Sequence, residues 1–221
     1  MKQVFLNGKQ GSTLKLFFAG YGQDPTPFIP LCSESQASVA MVYDYEDMSF
    51  NEKEYQDFEK IELISWSIGV MVSAYILKSS SLLPNLTSRI AINGTPDGIA
   101  FSSLAIGLPC DLWYQTYEHM DEHGQESFFK AMLGAKADYY LSHLPKRQGA
   151  SYKAELLALY EFRKNQCAHF DFDFDKAYIG TKDKIFPPLI LRKAFDNGKT
   201  MVIKGPWAHF DQELFSKIFS N

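Results

Sequence analysis

Cysteine is scarce in this 221-residue chain: Cys32, Cys110 and Cys167 are the whole set, and no two stand in C-x-x-C spacing. A disulfide framework and a zinc ribbon are therefore excluded, and reduced thiols of a cytoplasmic protein are expected. No apolar run reaches the roughly 20 residues that cross a bilayer. The longest, residues 61–77, is broken by Ser65, Ser67 and Ser73. Met1-Lys2-Gln3-Val4 reads directly as strand rather than as a secretory leader. Positive charge is not in excess either, since 22 Lys and Arg face 26 Asp and Glu for a net charge of −4, which argues against a general nucleic-acid binder. There is no internal repeat, no low-complexity segment and no glycine-rich phosphate loop. Two metal-like patterns fail at their deciding positions. Asp171-Phe172-Asp173-Phe174-Asp175 opens like a calcium loop, but Lys176 and Lys182 stand where Gly and Glu are needed. His119 and His123 have helical spacing, but Met120 takes the place of a zinc protease's glutamate. No metal and no cofactor are expected. What remains is 46% hydrophobic and 15% aromatic, a composition for one globular domain spanning residues 1–221.

Within it, Ser65-Trp66-Ser67-Ile68-Gly69 is flanked by β-type residues before it and an apolar helical run, 70–77, after it. Strand, small-x-Ser-x-Gly turn and helix form the nucleophile elbow of an α/β-hydrolase. The turn needs small residues because strand and helix backbones approach closely there; Ser65 stands where Gly is usual. Chance alone would give such a pentad to roughly one chain in five, so its partners must decide. They follow in the order this fold requires. Asp183 lies on the loop after a short strand, in Gly180-Thr181-Lys182-Asp183-Lys184-Ile185-Phe186-Pro187, and His209 follows the β-branched run 200–204. A serine hydroxyl needs a base, for which His209 is the candidate, and Asp183 would hold the imidazole in the right tautomer. Near the N-terminus, the strand 14–19 runs into Gly20-Tyr21-Gly22. The backbone N–H groups of Tyr21 and Ile68 are assigned as oxyanion donors. Singly, each element has an ordinary explanation as a helix start, a turn aspartate or a core histidine. Together they would need four coincidences in the right order.

Strands are expected at 3–6, 14–19, 38–43, 61–65, 89–93, 177–180 and 201–204, mostly as continuous apolar runs of buried parallel type. The stretches 23–37 and 44–60 leave little room for crossover helices. The expected architecture is thus an α/β-hydrolase fold with a mostly parallel, roughly seven-stranded sheet, reduced flanking helices and an inserted helical lid. The lid spans about 101–163, with helices near 127–133 and 152–160. Trp113, Tyr117, Phe128, Phe129 and Leu133 could line an acyl pocket under it, together with Trp66 of the elbow, or could be ordinary helix packing. Residues 141–165 carry Lys146, Arg147, Lys153, Arg163 and Lys164 against Glu155 and Glu161 only. Such a segment suits an acidic partner or a solvated helix face.

Three blocks carry a closer likeness: Phe17-Phe18-Ala19-Gly20-Tyr21-Gly22, Ser65-Trp66-Ser67-Ile68-Gly69-Val70 and Ala91-Ile92-Asn93-Gly94-Thr95-Pro96. Together they resemble the BioG-type pimeloyl-[acyl-carrier protein] methyl ester esterases over essentially the whole chain. Tyr21 stands where Trp is expected in many relatives, which bears on the pocket lining rather than on a backbone donor. The resemblance implies a carboxylesterase of biotin synthesis that works without a cofactor, hydrolysing the methyl ester of pimeloyl-[acyl-carrier protein] to pimeloyl-[acyl-carrier protein] and methanol. It also gives the lid cations an acidic partner. A monomer is expected. The same triad would serve a thioesterase or a small-molecule esterase, and an inert hydrolase-like scaffold is the non-enzyme alternative.

Overall fold

The computed structural model describes residues 1–134, 137–147, 149–166 and 169–220. Seven strands form one sheet: β1 (Lys2–Phe5), β2 (Thr13–Phe18), β3 (Ser38–Tyr43), β4 (Lys60–Trp66), β5 (Leu86–Ile92), β8 (Lys176–Gly180) and β9 (Met201–Gly205). Their order across the sheet is β1-β3-β2-β4-β5-β8-β9, and every pairing is parallel except that of β1 with β3. All seven expected strands are present. A further pair, β6 (Ile99–Ala100) with β7 (Leu108–Pro109), is too short for any periodicity to reveal.

Strand alternation sorts the core into two faces. Leu14, Leu16 and Phe18 of β2 face one cluster with Ala40 and Val42 of β3, while Phe17 faces the other with Val39 and Met41. The first face is covered by α1 (Gly69–Leu77) and α6 (Pro188–Ala194), the second by α7 (Gln212–Ser220), whose Leu214, Phe215, Ile218 and Phe219 are buried. Lys15 points to the second face as well. Its ammonium donates to the carbonyls of Ile218 and Phe219 at 3.2 and 2.6 Å, partnering the last turn of α7, whose carbonyls have no helical donor. The segments before and after β3 contain only short 3₁₀ turns, Pro30–Cys32 and Glu52–Tyr55, in place of crossover helices.

Between β5 and β8 the described residues form α2 (Cys110–Glu118), α3 (Glu122–Leu133), α4 (Asp138–Leu141) and α5 (Gly149–Asn165). Asp121 caps α3 by accepting from the Gly124 amide at 2.8 Å. Helix begins at Cys110 rather than near 101, because residues 99–109 carry the β6–β7 pair. Among the described residues no helix is long and apolar enough to cross a membrane. Cys32 and Cys110 are free thiols, and burial pushes Cys32 up to about 12; Cys167 lies outside the described residues. The Asp171–Asp175 run has Phe172 and Phe174 buried and its carboxylates outward, as a segment with one wet face.

Candidate active site

The elbow puts Ser67 at φ 60°, a left-handed conformation that a serine adopts only when its surroundings enforce it. Its amide donates to the Ile92 carbonyl at 2.9 Å, so β5 holds the turn from beside it. A Cβ at Gly69 would run into the carbonyl oxygens of Phe18 and Ala19, and one at Gly94 into that of Ser67. Those two glycines let β2, the elbow and the loop after β5 converge. Ser65 is accommodated because its hydroxyl pairs with that of Ser73, one layer into α1, at 2.7 Å.

Ser67 Oγ lies 2.8 Å from His209 Nε2, and His209 Nδ1 lies 2.8 Å from Asp183 Oδ2. An ionised carboxylate only accepts, so Nδ1 carries the proton and Nε2 is left to accept from the serine hydroxyl. The Asp183 carboxylate is fixed by its other oxygen, which accepts from the amides of Ile185 and Phe186 at 2.7 and 2.9 Å. His209 is stacked on Phe186, with rings 9° from parallel, and Trp66 also contacts it, tilted at 39°. Ser67 is 4% exposed and His209 1%, which keeps the pair out of bulk water.

Two side chains hold the His209 backbone: Asn93, to which the sequence assigned no role, and Trp66, which it placed in a pocket. Asn93 Nδ2 donates to the carbonyls of Ala208 and His209 at 2.9 and 3.0 Å, while its Oδ1 accepts from the Gly180 amide at 2.7 Å. It thereby ties the ends of β5 and β8 to the histidine loop. Trp66 Nε1 donates to the His209 carbonyl at 2.9 Å. This corrects the expectation that Trp66 lines a pocket. Next to Ser65 and two positions from Ile64, it falls on the α7 face of β4, is 1% exposed, and packs against Phe28, Phe210 and Phe215. The Asn93-Gly94 pair within the Ile-Asn-Gly-Thr block was the available signal.

The remaining expected residues divide. The amides of Tyr21 and Ile68 donate to no protein acceptor among the described residues, and both sit where strand meets turn beside Ser67. The Tyr21 ring is enclosed edge-on by Trp113, Phe128 and Tyr152, and burial pushes its phenol well above the ordinary value. Trp113 donates to the Leu156 carbonyl at 3.0 Å and Tyr117 lies under Lys153, so both serve helix packing. Phe129 and Leu133 line a cavity of about 480 Å³ along α3 and α4. Leu133 also borders a cavity of about 1000 Å³ between α3 and the loops carrying Asp183 and Ala208.

Of the five expected carrier contacts, two are corrected. Arg147 is inward, bound to Glu155 at 2.5 Å and to Asp44 at 3.1 Å, with 7% of its side chain exposed. Arg163 is fully buried and donates to the carbonyl of Asp97 at 2.9 Å, with the Asp97 carboxylate at 3.4 Å. A local excess of cations says nothing about the direction in which each side chain points. Lys146 and Lys164 are exposed, and Lys153 is half-buried over Tyr117.

Residues 1–218 match the model of the family described as Pimeloyl-ACP methyl esterase BioG. The chain belongs to the BioG family. A crystal structure of BioG from Haemophilus influenzae superposes with a TM-score of 0.83 at 25% identity, covering 98% of this chain and 97% of that one. Malonyl-[acyl-carrier protein] O-methyltransferase of Bacteroides fragilis is 29% identical over 204 residues, or 91% of this chain, and the chain spans only 40% of that relative's length. A lipase-esterase related protein from Clostridium acetobutylicum, at 17% identity and TM-score 0.66 over 99% of this chain and 96% of that one, shares the α/β-hydrolase fold.

Proposed function

We propose that the chain is a serine carboxylesterase that hydrolyses the methyl ester of pimeloyl-[acyl-carrier protein], giving pimeloyl-[acyl-carrier protein] and methanol in biotin synthesis. The observation that carries this is the Ser67–His209–Asp183 hydrogen-bonded chain on a strained elbow, within a chain of the BioG family. Ser67 Oγ attacks the ester carbonyl as His209 Nε2 takes its proton. The carbonyl oxygen becomes an oxyanion that the Tyr21 and Ile68 amides stabilise, each worth about a hundred- to a thousandfold in rate. Collapse expels the methoxy group, which takes the proton from His209 and leaves as methanol. Water, deprotonated by the same nitrogen, then attacks the acyl-enzyme; its hydroxyl joins the acyl carbon and Ser67 recovers the proton. Asp183 keeps the imidazole oriented and stabilises the imidazolium throughout.

The carrier partner is acidic, and of the five expected contacts Lys146, Lys153 and Lys164 remain placed to meet it. The chain acts as a monomer in the cytoplasm, as one hydrolase domain with its helical lid. The test is hydrolysis of methyl-pimeloyl carrier protein beside a short free methyl ester and the pimeloyl thioester, together with complementation of a biotin-requiring strain that lacks its own esterase. Methanol release from the carrier-bound ester and growth without biotin are expected. Cleavage of the thioester in preference would make the chain a thioesterase, and failure of Ser67 to react with a fluorophosphonate would make it an inert scaffold.

A further inference from the structure

The loop that bears the Tyr21 amide is held from the inserted helices rather than from the sheet alone. The Tyr21–Gly22 peptide has both polar atoms engaged: the Gly22 amide donates to Glu155 Oε2 at 3.0 Å, and the Tyr21 carbonyl accepts from Gln23 Nε2 at 3.2 Å. That fixes the peptide plane after Tyr21, next to the amide assigned as an oxyanion donor. Gln23 is itself held, since the Tyr140 hydroxyl of α4 donates to its Oε1 at 2.7 Å. On the sheet side, the Tyr45 hydroxyl donates to the Ala19 carbonyl at 2.8 Å.

Glu155 is the centre of this arrangement. It lies on α5, is fully buried, and its Oε1 accepts from the Tyr45 amide at 3.1 Å while Oε2 meets Gly22 and Arg147. Burial pushes its carboxyl up; the Arg147 guanidinium and the two amides oppose this. Arg147 in turn reaches Asp44, which stands after β3 at φ 60°. A buried carboxylate that accepts from two backbone amides and a guanidinium beside a reacting site is costly as a mere anchor, because an apolar residue could pack α5 as well.

We propose that Glu155 is a positioning residue for the oxyanion hole, acting through the Gly22 amide with Tyr140 and Arg147 in support. This rests on the assignment of Tyr21 as an oxyanion donor in a Ser67 esterase. Displacing a reacting group by about 1 Å costs up to a hundredfold.

The test uses the full chain, p-nitrophenyl acetate and a trifluoromethyl ketone, which forms a Ser67 hemiketal whose oxyanion occupies the hole. Glu155→Gln should lower kcat about 10- to 100-fold, leave KM within about threefold, and weaken ketone binding in proportion to kcat/KM. Asp97→Asn breaks the buried pair at the other end of α5 and should lower the melting temperature while kcat stays within about threefold. A folded Glu155→Gln protein with undiminished kcat, or with lowered kcat and unchanged ketone affinity, would overturn the proposal. So would an Asp97→Asn enzyme that loses kcat and ketone affinity equally. Should Glu155→Gln not fold, Tyr140→Phe carries the same test with a loss of about 3- to 10-fold in kcat and ketone affinity together, and no loss would again overturn it. If the unaltered protein neither hydrolyses the ester nor binds the ketone, the esterase assignment itself falls, an outcome distinct from all of these.

Discussion

The triad and the oxyanion loop lie within one site but are held by different parts of the molecule. Ser67, Asp183 and His209 sit on turns that follow β4, β8 and β9, and their braces, Asn93 and Trp66, also come from the sheet. The loop 19–23 follows β2, where Val42 and Tyr45 hold Ala19, but Gly22 and Gln23 take polar partners from the insertion: Tyr140 of α4, Glu155 of α5 and Arg147 between them. In the proposed esterase the triad is built on the sheet, whereas the loop assigned to stabilise the developing charge is attached to the insertion. The inserted helices are thus braced against the loop 19–23.

The comparison can be broken first at the nucleophile. Ser67→Ala should lower kcat by about 10⁴-fold or more, with melting temperature nearly unchanged, since only residual binding and oxyanion effects remain. Retention of activity within tenfold, measured on a soluble ester, would remove Ser67 from the role. Next in size, Asp183→Asn should cost about 10⁴-fold through the wrong histidine tautomer. Asp173→Asn, whose carboxylate is engaged with Lys199 at the surface, should change kcat by less than about twofold. The reverse ranking in steady-state rates would move the acid upstream.

A smaller effect sharpens the contrast between the two supports. Asn93→Ala strands the buried Gly180 amide and frees the histidine loop, so it should cost about 1–3 kcal/mol in urea unfolding as well as kcat. Its loss of activity should appear without any change in the geometry of the loop 19–23. Equal damage to both regions, read from crosspeak shifts of the Gly20 and Gly22 amides, would show that sheet and insertion are not separately responsible. The smallest effect lies at the rim: reversing Lys146, Lys153 and Lys164 to Glu should raise KM for a carrier-bound ester several-fold and leave a small ester unaffected. That rise should shrink with salt, because exposed charges are screened over about 10 Å at 0.1 M. A null result in both assays would remove these lysines from carrier recognition.

The sheet was legible because its strands are continuous apolar runs, and the triad because chain order constrains it. β5 begins three positions earlier than expected, since Leu86-Thr87-Ser88 is not an apolar run yet pairs with β4. The inward turn of the α5 charges was legible in principle. Tyr152, Glu155, Leu156, Leu159 and Arg163 recur at helical spacing and share the buried face of α5. Counting Glu155 and Arg163 as part of a charge sum hid a periodicity that hydrophobic residues alone would have exposed. Which backbone amides Glu155 meets, by contrast, is a tertiary fact carried by no local pattern.

Helix α7 gives the molecule a timetable. The face of β2 and β4 that it covers, with Phe17, Ile64 and Trp66, is synthesised long before residues 212–220. Lys15 waits 203 positions for the Ile218 carbonyl. At about 5–20 residues per second, that aromatic face lacks its cover for roughly 10–40 s on the ribosome. During this interval the apolar side of β2 and β4 stands open to solvent, making the nascent chain a client for chaperones and a point of entry for aggregation.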